Sequence, residues 1–335
     1  MLAQEKTEQE VQLEKNAAFF ASVKKHMYSL GVLVSLVLLC IVMSILSPRF
    51  LSVSNLMNVA GQAAINSIIS IGMFLAILTS GIDLSVGSVL ALSTMVMGMF
   101  VKTFHMNPYV ALLTCLAVGT LLGLFNGLLL TKMHLPHPFI STMGTKQMAR
   151  ALCLVVTGTL PVYQFEKPIV FLGNANIGPM PVSFVLVAVL YVLMFIFLNR
   201  TRTGRYIYAV GGNKEASRLS GINVDNILNL VYAMSGFFAA LAGIVLVGRV
   251  DTAFPLAGVD YETDAIAAVI IGGASFFGGV GKIGNTIVGV LLIAVLRNGL
   301  NLLGVPSAWQ TFSVGAVIII AVYVDVIRQR VMKQK

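Results

Sequence analysis

Apolar residues along this 335-residue chain gather into long blocks separated by short polar turns. A helix needs roughly 20 apolar residues to cross a bilayer, and ten blocks approach that length. They fall near 28–47, 55–79, 86–103, 107–131, 138–158, 181–199, 226–248, 263–279, 284–304 and 308–327. The pattern predicts an all-α polytopic membrane protein with about ten transmembrane helices. A polar stretch from Met1 to His26 precedes the first block, and no short apolar segment ends in a small-residue cleavage site, so the first block reads as an uncleaved span. The expected organisation is an N-terminal tail at 1–27, a transmembrane domain at 28–327 and a C-terminal tail at 328–335.

Composition agrees with the pattern. Hydrophobic residues make up 57% of the chain and charged residues 10%, against about 25% charged in a soluble domain. The formal charge of +9 does not point to nucleic acid, because the basic residues sit between apolar blocks rather than on one soluble face.

Their distribution sets an orientation, since short cytoplasmic loops collect Lys and Arg. With an even number of spans, seventeen basic residues fall on the side of the termini and four on the other, leaving Arg297 inside the ninth block. The seventeen include Lys132, Lys146 and Arg150 beside the fourth turn; the four are Arg49, Lys102, Lys167 and Arg249. Both termini are therefore expected in the cytoplasm. Spans two to five and seven to ten each supply four crossings, the second set starting from the opposite side, which is the arithmetic of an inverted repeat. Gly81-Ile82-Asp83-Leu84 and Gly258-Val259-Asp260-Tyr261 fall early in the two sets.

Four segments carry polar chemistry. In Leu78–Ser88, Thr79, Asp83, Ser85 and Ser88 stand among glycines between apolar blocks. Ionisable groups at membrane depth are costly and face a cavity or a partner. Two readings stay open: a broken helix lining a translocation path, or a surface turn in which Asp83 and Ser85 cap the next helix. The longest basic connection, Arg200–Ile222, contains a helix-like piece from Lys214 to Leu219 between Gly211-Gly212 and Gly221. It reads either as a docking element for a cytoplasmic partner or as a basic loop that fixes topology. Small residues from Ala265 to Gly279 favour close helix packing over ligand binding. Asp251, Asp260, Tyr261, Glu262 and Asp264 follow Arg249 in an outer loop that either receives a partner protein or is simply solvated.

Catalytic and cofactor chemistry finds no support. Gly279-Val280-Gly281-Lys282 resembles a phosphate loop only briefly, because Phe276 and Ile283 occupy the positions of its first glycine and its hydroxyl residue. His134 and His137 flank Pro136 in a turn, and no paired nucleophile and base can be assembled. Cys40, Cys115 and Cys153 lie in apolar blocks and read as packing thiols. Trp309 and Tyr323 suit interfacial anchoring. The chain is expected to be no enzyme and to need no cofactor.

The strings LTSGIDLSVGSVLALS, TRTGRYIYAVGGNKEASRLSGINV, DAIAAVIIGG and NGLNLLGV occur in order between about residues 45 and 325. Together they resemble the ribose-type branch of bacterial ATP-binding-cassette sugar-importer permeases. The resemblance implies a ten-helix inner-membrane subunit that pairs with a second permease copy around a central path for a monosaccharide. Ribose is the first expectation, with allose, galactose and xylose as alternatives. It implies a cytoplasmic ATP-binding subunit and a periplasmic sugar-binding protein as partners, which also explains why no ATP-binding loop stands here. On this reading Glu215, Ala216, Ser217, Arg218, Leu219 and Gly221 dock the ATP-binding subunit. The path is expected at Thr79, Asp83, Ser85 and Ser88, and the binding protein at Asp251, Asp260, Tyr261 and Glu262. An ion-coupled secondary transporter is the rival of another class, with Asp83 and Asp264 as its ion-site candidates.

Overall fold

The computed structural model describes residues 31–333, with side chains through residue 327; the expected tail at 1–27 lies outside the described residues. The described chain is all-α apart from four two-residue strands. The helices are α1 (Gly31–Leu46), α2 (Val53–Leu78), α3 (Val86–Lys102), α4 (Pro108–Thr131), α5 (Pro138–Val156), α6 (Lys167–Asn174), α7 (Val182–Arg200), α8 (Arg202–Gly212), α9 (Lys214–Leu219), α10 (Val224–Val250), α11 (Tyr261–Ile271), α12 (Ile283–Leu302) and α13 (Ser307–Lys333). Among them α2, α4, α7, α10, α12 and α13 are long and apolar enough to cross a membrane. Helices α1 and α3 are shorter but apolar. Helix α5 has 19 residues and carries Lys146 and Arg150. Both residues lie in the block at 138–158, where the apolar pattern expects a helix, although the charge count grouped them with the cytoplasmic turn before it.

The eighth predicted span, 263–279, is a correction in length. Helix α11 stops at Ile271, and 272–282 forms turns. Gly273, Gly278 and Gly279 take positive φ there, a conformation open to glycine at no steric cost. The predicted C-terminal tail also continues α13 as helix to Lys333.

Helices α2 and α10 form the buried axis of the bundle, with nearly every residue from Ile65 of α2 and from Ser235 of α10 inward of the surface. At 26 residues, α2 is about 39 Å long. The two run antiparallel: Arg249 near the end of α10 reaches Asn58 near the start of α2, and Gly72 of α2 lies against Ser235 of α10. Helix α4 crosses α10 through Gly119, Gly123 and Gly127, which face Gly236, Tyr232 and Asn229 so closely that an added Cβ would overlap the opposing backbone. Helices with only hydrogen between their backbones approach this way because lipid offers no hydrophobic drive and close packing must supply the attraction.

The packing repeats itself. Pairs α3–α4, α3–α5, α3–α10 and α4–α10 have counterparts in α11–α12, α11–α13, α11–α2 and α12–α2. Because α2 and α10 are antiparallel, the two sets are inverted relative to each other. Equivalent sequences accompany the match: Asn126-Gly127 near the end of α4 and Asn298-Gly299 near the end of α12. The starts of α3 and α11 meet at Gly87 and Gly258, where neither position has room for a Cβ.

We call the two extremities of the bundle the α9 end and the Arg249 end. At the Arg249 end, β1 (Val162–Tyr163) pairs antiparallel with β4 (Thr252–Ala253), and β2 (Asn176–Ile177) pairs with β3 (Met180–Pro181). From β4 the chain turns back into the bundle, with Ala253, Pro255, Ala257 and Gly258 buried. Arg150 of α5 holds this re-entrant segment by donating to the carbonyls of Pro255 and Ala257.

Candidate functional site

At the α9 end, each short helix starts on a side-chain cap. The Thr201 hydroxyl accepts from Gly204 N–H to open α8, and the Asn213 side chain accepts from Ala216 N–H to open α9. Such caps satisfy otherwise unpaired N–H groups, which a six-residue helix needs because it cannot support itself by propensity. The helix-like piece read from the sequence, Lys214–Leu219, coincides with α9. Glu215, Ala216, Arg218, Leu219 and Gly221 are exposed, and Leu219 is 91% exposed. Ser217 alone of the six docking candidates is buried, donating to the Asn213 carbonyl. Arg218 is bound by Glu215 at 2.8 Å and Asp225 at 3.5 Å. Burial first, and the Arg218 charge second, hold the Lys214 ammonium below its usual range.

Helix α8 ties this end to the long helices. Gly279 N–H donates to the Leu78 carbonyl at 2.9 Å, and the Ser80 hydroxyl lies 2.7 Å from the Phe277 carbonyl and 3.2 Å from that of Gly211. Tyr208 donates to the Gly281 carbonyl. The end of α2, the end of α8 and the 272–281 turns therefore form one hydrogen-bonded knuckle.

Just inside the knuckle sits Asp83, 1% exposed. One carboxylate oxygen accepts from the Ser85 N–H at 3.0 Å and the Ser85 hydroxyl at 2.6 Å; the other accepts from Ser235 of α10 at 2.7 Å. Asn126 of α4 donates to the Ser85 hydroxyl. Asp83 is therefore not a surface turn, and the Ser85 hydroxyl is committed to Asp83 rather than to the N–H groups of α3. Thr79 bonds its own helix at Ala76, and Ser88 is buried without a partner among the described residues. Four expected path residues are thus all buried; the structure joins Asp83 and Ser85 and leaves Thr79 and Ser88 outside that network.

Toward the Arg249 end, two ion pairs cross between helices, each joining a buried carboxylate to a partly exposed cation. Glu262 of α11 meets Lys146 of α5 at 2.5 Å, and Asp264 of α11 meets Arg297 of α12 at 2.6 Å. A charge inside a membrane bundle needs such a partner. Glu262 is 4% exposed, so it does not lie on the outer surface expected of it, and Tyr261 is only half-exposed. Asp251 and Asp260 are exposed, both with positive φ, and Asp251 accepts from the Phe165 N–H. Between α2, α10, α11, α12 and α13 a cavity of about 370 Å³ opens, lined by Asn66, Tyr261, Asp264, Arg297, Asn301 and Gln310 among others. Sequence reasoning assigned no role to Asn66 or to the Asp264–Arg297 pair. The available signal was Arg297 itself: a cation in an apolar block demands a carboxylate, and Asp264 stands in the block before it.

A second, wider cavity of about 540 Å³ lies beside the first, with Arg249 in the wall of both. Among the described residues, no group of three or more His, Cys, Asp and Glu side chains is placed to hold a metal ion.

Residues 55–322 match the family model described as branched-chain amino acid transport system / permease component. The ribose import permease protein of Escherichia coli (strain K12) is 43% identical over 299 residues, covering 88% of this chain and 92% of that relative. Its counterpart in Bacillus subtilis (strain 168) is 42% identical over 327 residues, 96% of this chain and 98% of the relative. The D-allose transport system permease protein of Escherichia coli (strain K12) is 42% identical over 284 residues, 84% of this chain and 86% of the relative. No solved structure matches the chain.

Proposed function

Since this chain belongs to the family of branched-chain amino acid transport system permease components, we propose that it is the membrane-spanning permease subunit of an ATP-driven importer for a monosaccharide, ribose first. The observation that carries the reading is the 43% identity with a ribose import permease over 92% of that protein's length. A match of that extent includes both halves of the repeat, α9 and the Asp83 segment rather than one motif. Allose, fructose and galactose follow ribose in preference, since permeases named for them are also similar.

In this reading the chain does no covalent chemistry. Glu215, Ala216, Arg218, Leu219 and Gly221 present a small surface to a cytoplasmic ATP-binding subunit, with Leu219 as its apolar tip and Ser217 holding the helix from beneath. Asp251, Asp260 and the half-exposed Tyr261 face a periplasmic sugar-binding protein, and a second permease copy completes the path. The buried Thr79, Asp83, Ser85 and Ser88 belong to a closed stretch of that path. ATP binding on the partner favours one arrangement of the gates over the other, and sugar moves as the populations shift.

The experiment is uptake of labelled ribose, allose, fructose and galactose into cells lacking other importers, with an active or an ATPase-dead partner. Uptake of one sugar that vanishes with the dead partner is expected. Uptake that survives the dead partner and collapses with the proton gradient would replace the reading with an ion-coupled transporter.

A further inference from the structure

We propose that the cavity at the Arg249 end is a binding site for a neutral monosaccharide within each chain, anchored by Asn66, Asp264 and Arg297. The proposal rests on the sugar-importer reading and goes beyond it by placing a resting point for the sugar in a single subunit rather than on the path shared by two.

Three observations carry it. The first is size and lining: about 370 Å³ falls within the roughly 300–1,000 Å³ of small-molecule sites. Its wall is nonetheless rich in amides and charges where a membrane bundle would ordinarily present hydrocarbon. The second is charge balance. Arg249 and Arg297 oppose Asp260 and Asp264 in the lining, and the Asp264–Arg297 contact of 2.6 Å neutralises the deepest charges on each other. A site so balanced holds no net field for an ion and suits a polar, uncharged guest.

The third is the pair of atoms left over. Asn66 donates to Asp264 at 3.5 Å while its own Oδ1 is buried without a partner, and the Nε of Arg297 is buried without one too. Unsatisfied buried polar atoms are rare because each costs the desolvation of the group. One is an acceptor and the other a donor. A hydroxyl group donates one hydrogen bond and accepts others. Both atoms are closed to a water-sized molecule in this conformation, so sugar hydroxyls reach them as the Asn66 and Arg297 side chains turn toward the cavity they line. The half-buried Tyr261 and the amides of Asn301 and Gln310 complete the lining.

The test is protection of a reporter thiol in membranes holding the full-length chain. Asn301→Cys, in a Cys40→Ala background that removes the half-buried native thiol, is labelled with a small hydrophilic thiol reagent, and Gln310→Cys serves as a second reporter. Ribose, allose, fructose and galactose are added in turn. One of them is expected to slow labelling at both reporters about threefold at a concentration about twice its dissociation constant. Asn66→Leu is expected to abolish that protection while leaving the sugar-free labelling rate unchanged. Labelling untouched by every sugar would mean a cavity that holds water alone, and would overturn the proposal. So would protection that survives Asn66→Leu. Uptake measured on the same cells separates the two readings: protection without uptake leaves the site standing and removes the importer, while uptake without protection does the reverse.

Discussion

Asp83 illustrates how one side chain can be paid for inside a bundle of apolar helices. Its carboxylate takes three hydrogen bonds from two serines, one on its own turn and one on α10, and the Ser85 hydroxyl is in turn fixed by Asn126. Asparagine at this position keeps the shape and the Oδ1 acceptor, so Asp83→Asn removes the charge while preserving most of the network. The loss of one strong acceptor costs about 1–3 kcal/mol, which a bundle this extensively packed tolerates. Asp83→Asn is expected to lower sugar uptake by a larger factor than it lowers the amount of folded protein in the membrane, measured on the same cells. Equal loss of both, or unchanged uptake, would make Asp83 a purely structural group. The sequence showed the ionisable residue and its hydroxyl neighbours. It did not show Ser235, because that partner lies 152 positions away and only the crossing of α2 and α10 brings it near.

At the level of elements, α9 and the knuckle behind it make a short route from the exposed Leu219 to the end of α2. Arg218 is already bound to Glu215 and Asp225, so reversing its charge puts three carboxylates together, two on α9 and one in the first turn of α10. Arg218→Glu is expected to leave the chain in the membrane while reducing co-purification of the ATP-binding subunit. Undiminished co-purification would take α9 out of the docking surface. How legible each element was depended on how local its cause is. Gly211-Gly212 and Gly221 bracket α9, and its limits could be read from those residues. Each of the ten apolar blocks contains a helix, and six of those helices are long and apolar enough to cross a membrane. The length of α11 was overestimated because Gly272 and Gly273 look equally at home in a close-packed span, and only the positive φ of Gly273 reveals the turn. Lys146 and Arg150 were counted with the basic turn before α5 because a charge count assumes that cations avoid the bundle. Here Glu262 and two backbone carbonyls, all more than 100 positions away, make room for them.

On the scale of the whole molecule, the inverted repeat gives the chain two comparable helix starts, at Asp83 and at Asp260, meeting at Gly87 and Gly258. One lies beside a closed polar network and the other beside an open cavity. The sidedness of that difference follows from the basic residues, and a tag on either terminus is expected to be protease-accessible only from the cytoplasm, in spheroplasts and inverted vesicles compared directly. Tags accessible from the periplasm would reverse every assignment of inside and outside. The glycine seam between α4 and α10 then limits how the molecule can change shape. Two rods pressed together with nothing but hydrogen between them cannot roll, since any rotation would drive a neighbouring side chain into the opposite backbone. They have to travel as a single bar, and the rest of the bundle must rearrange about it as a door moves about its post.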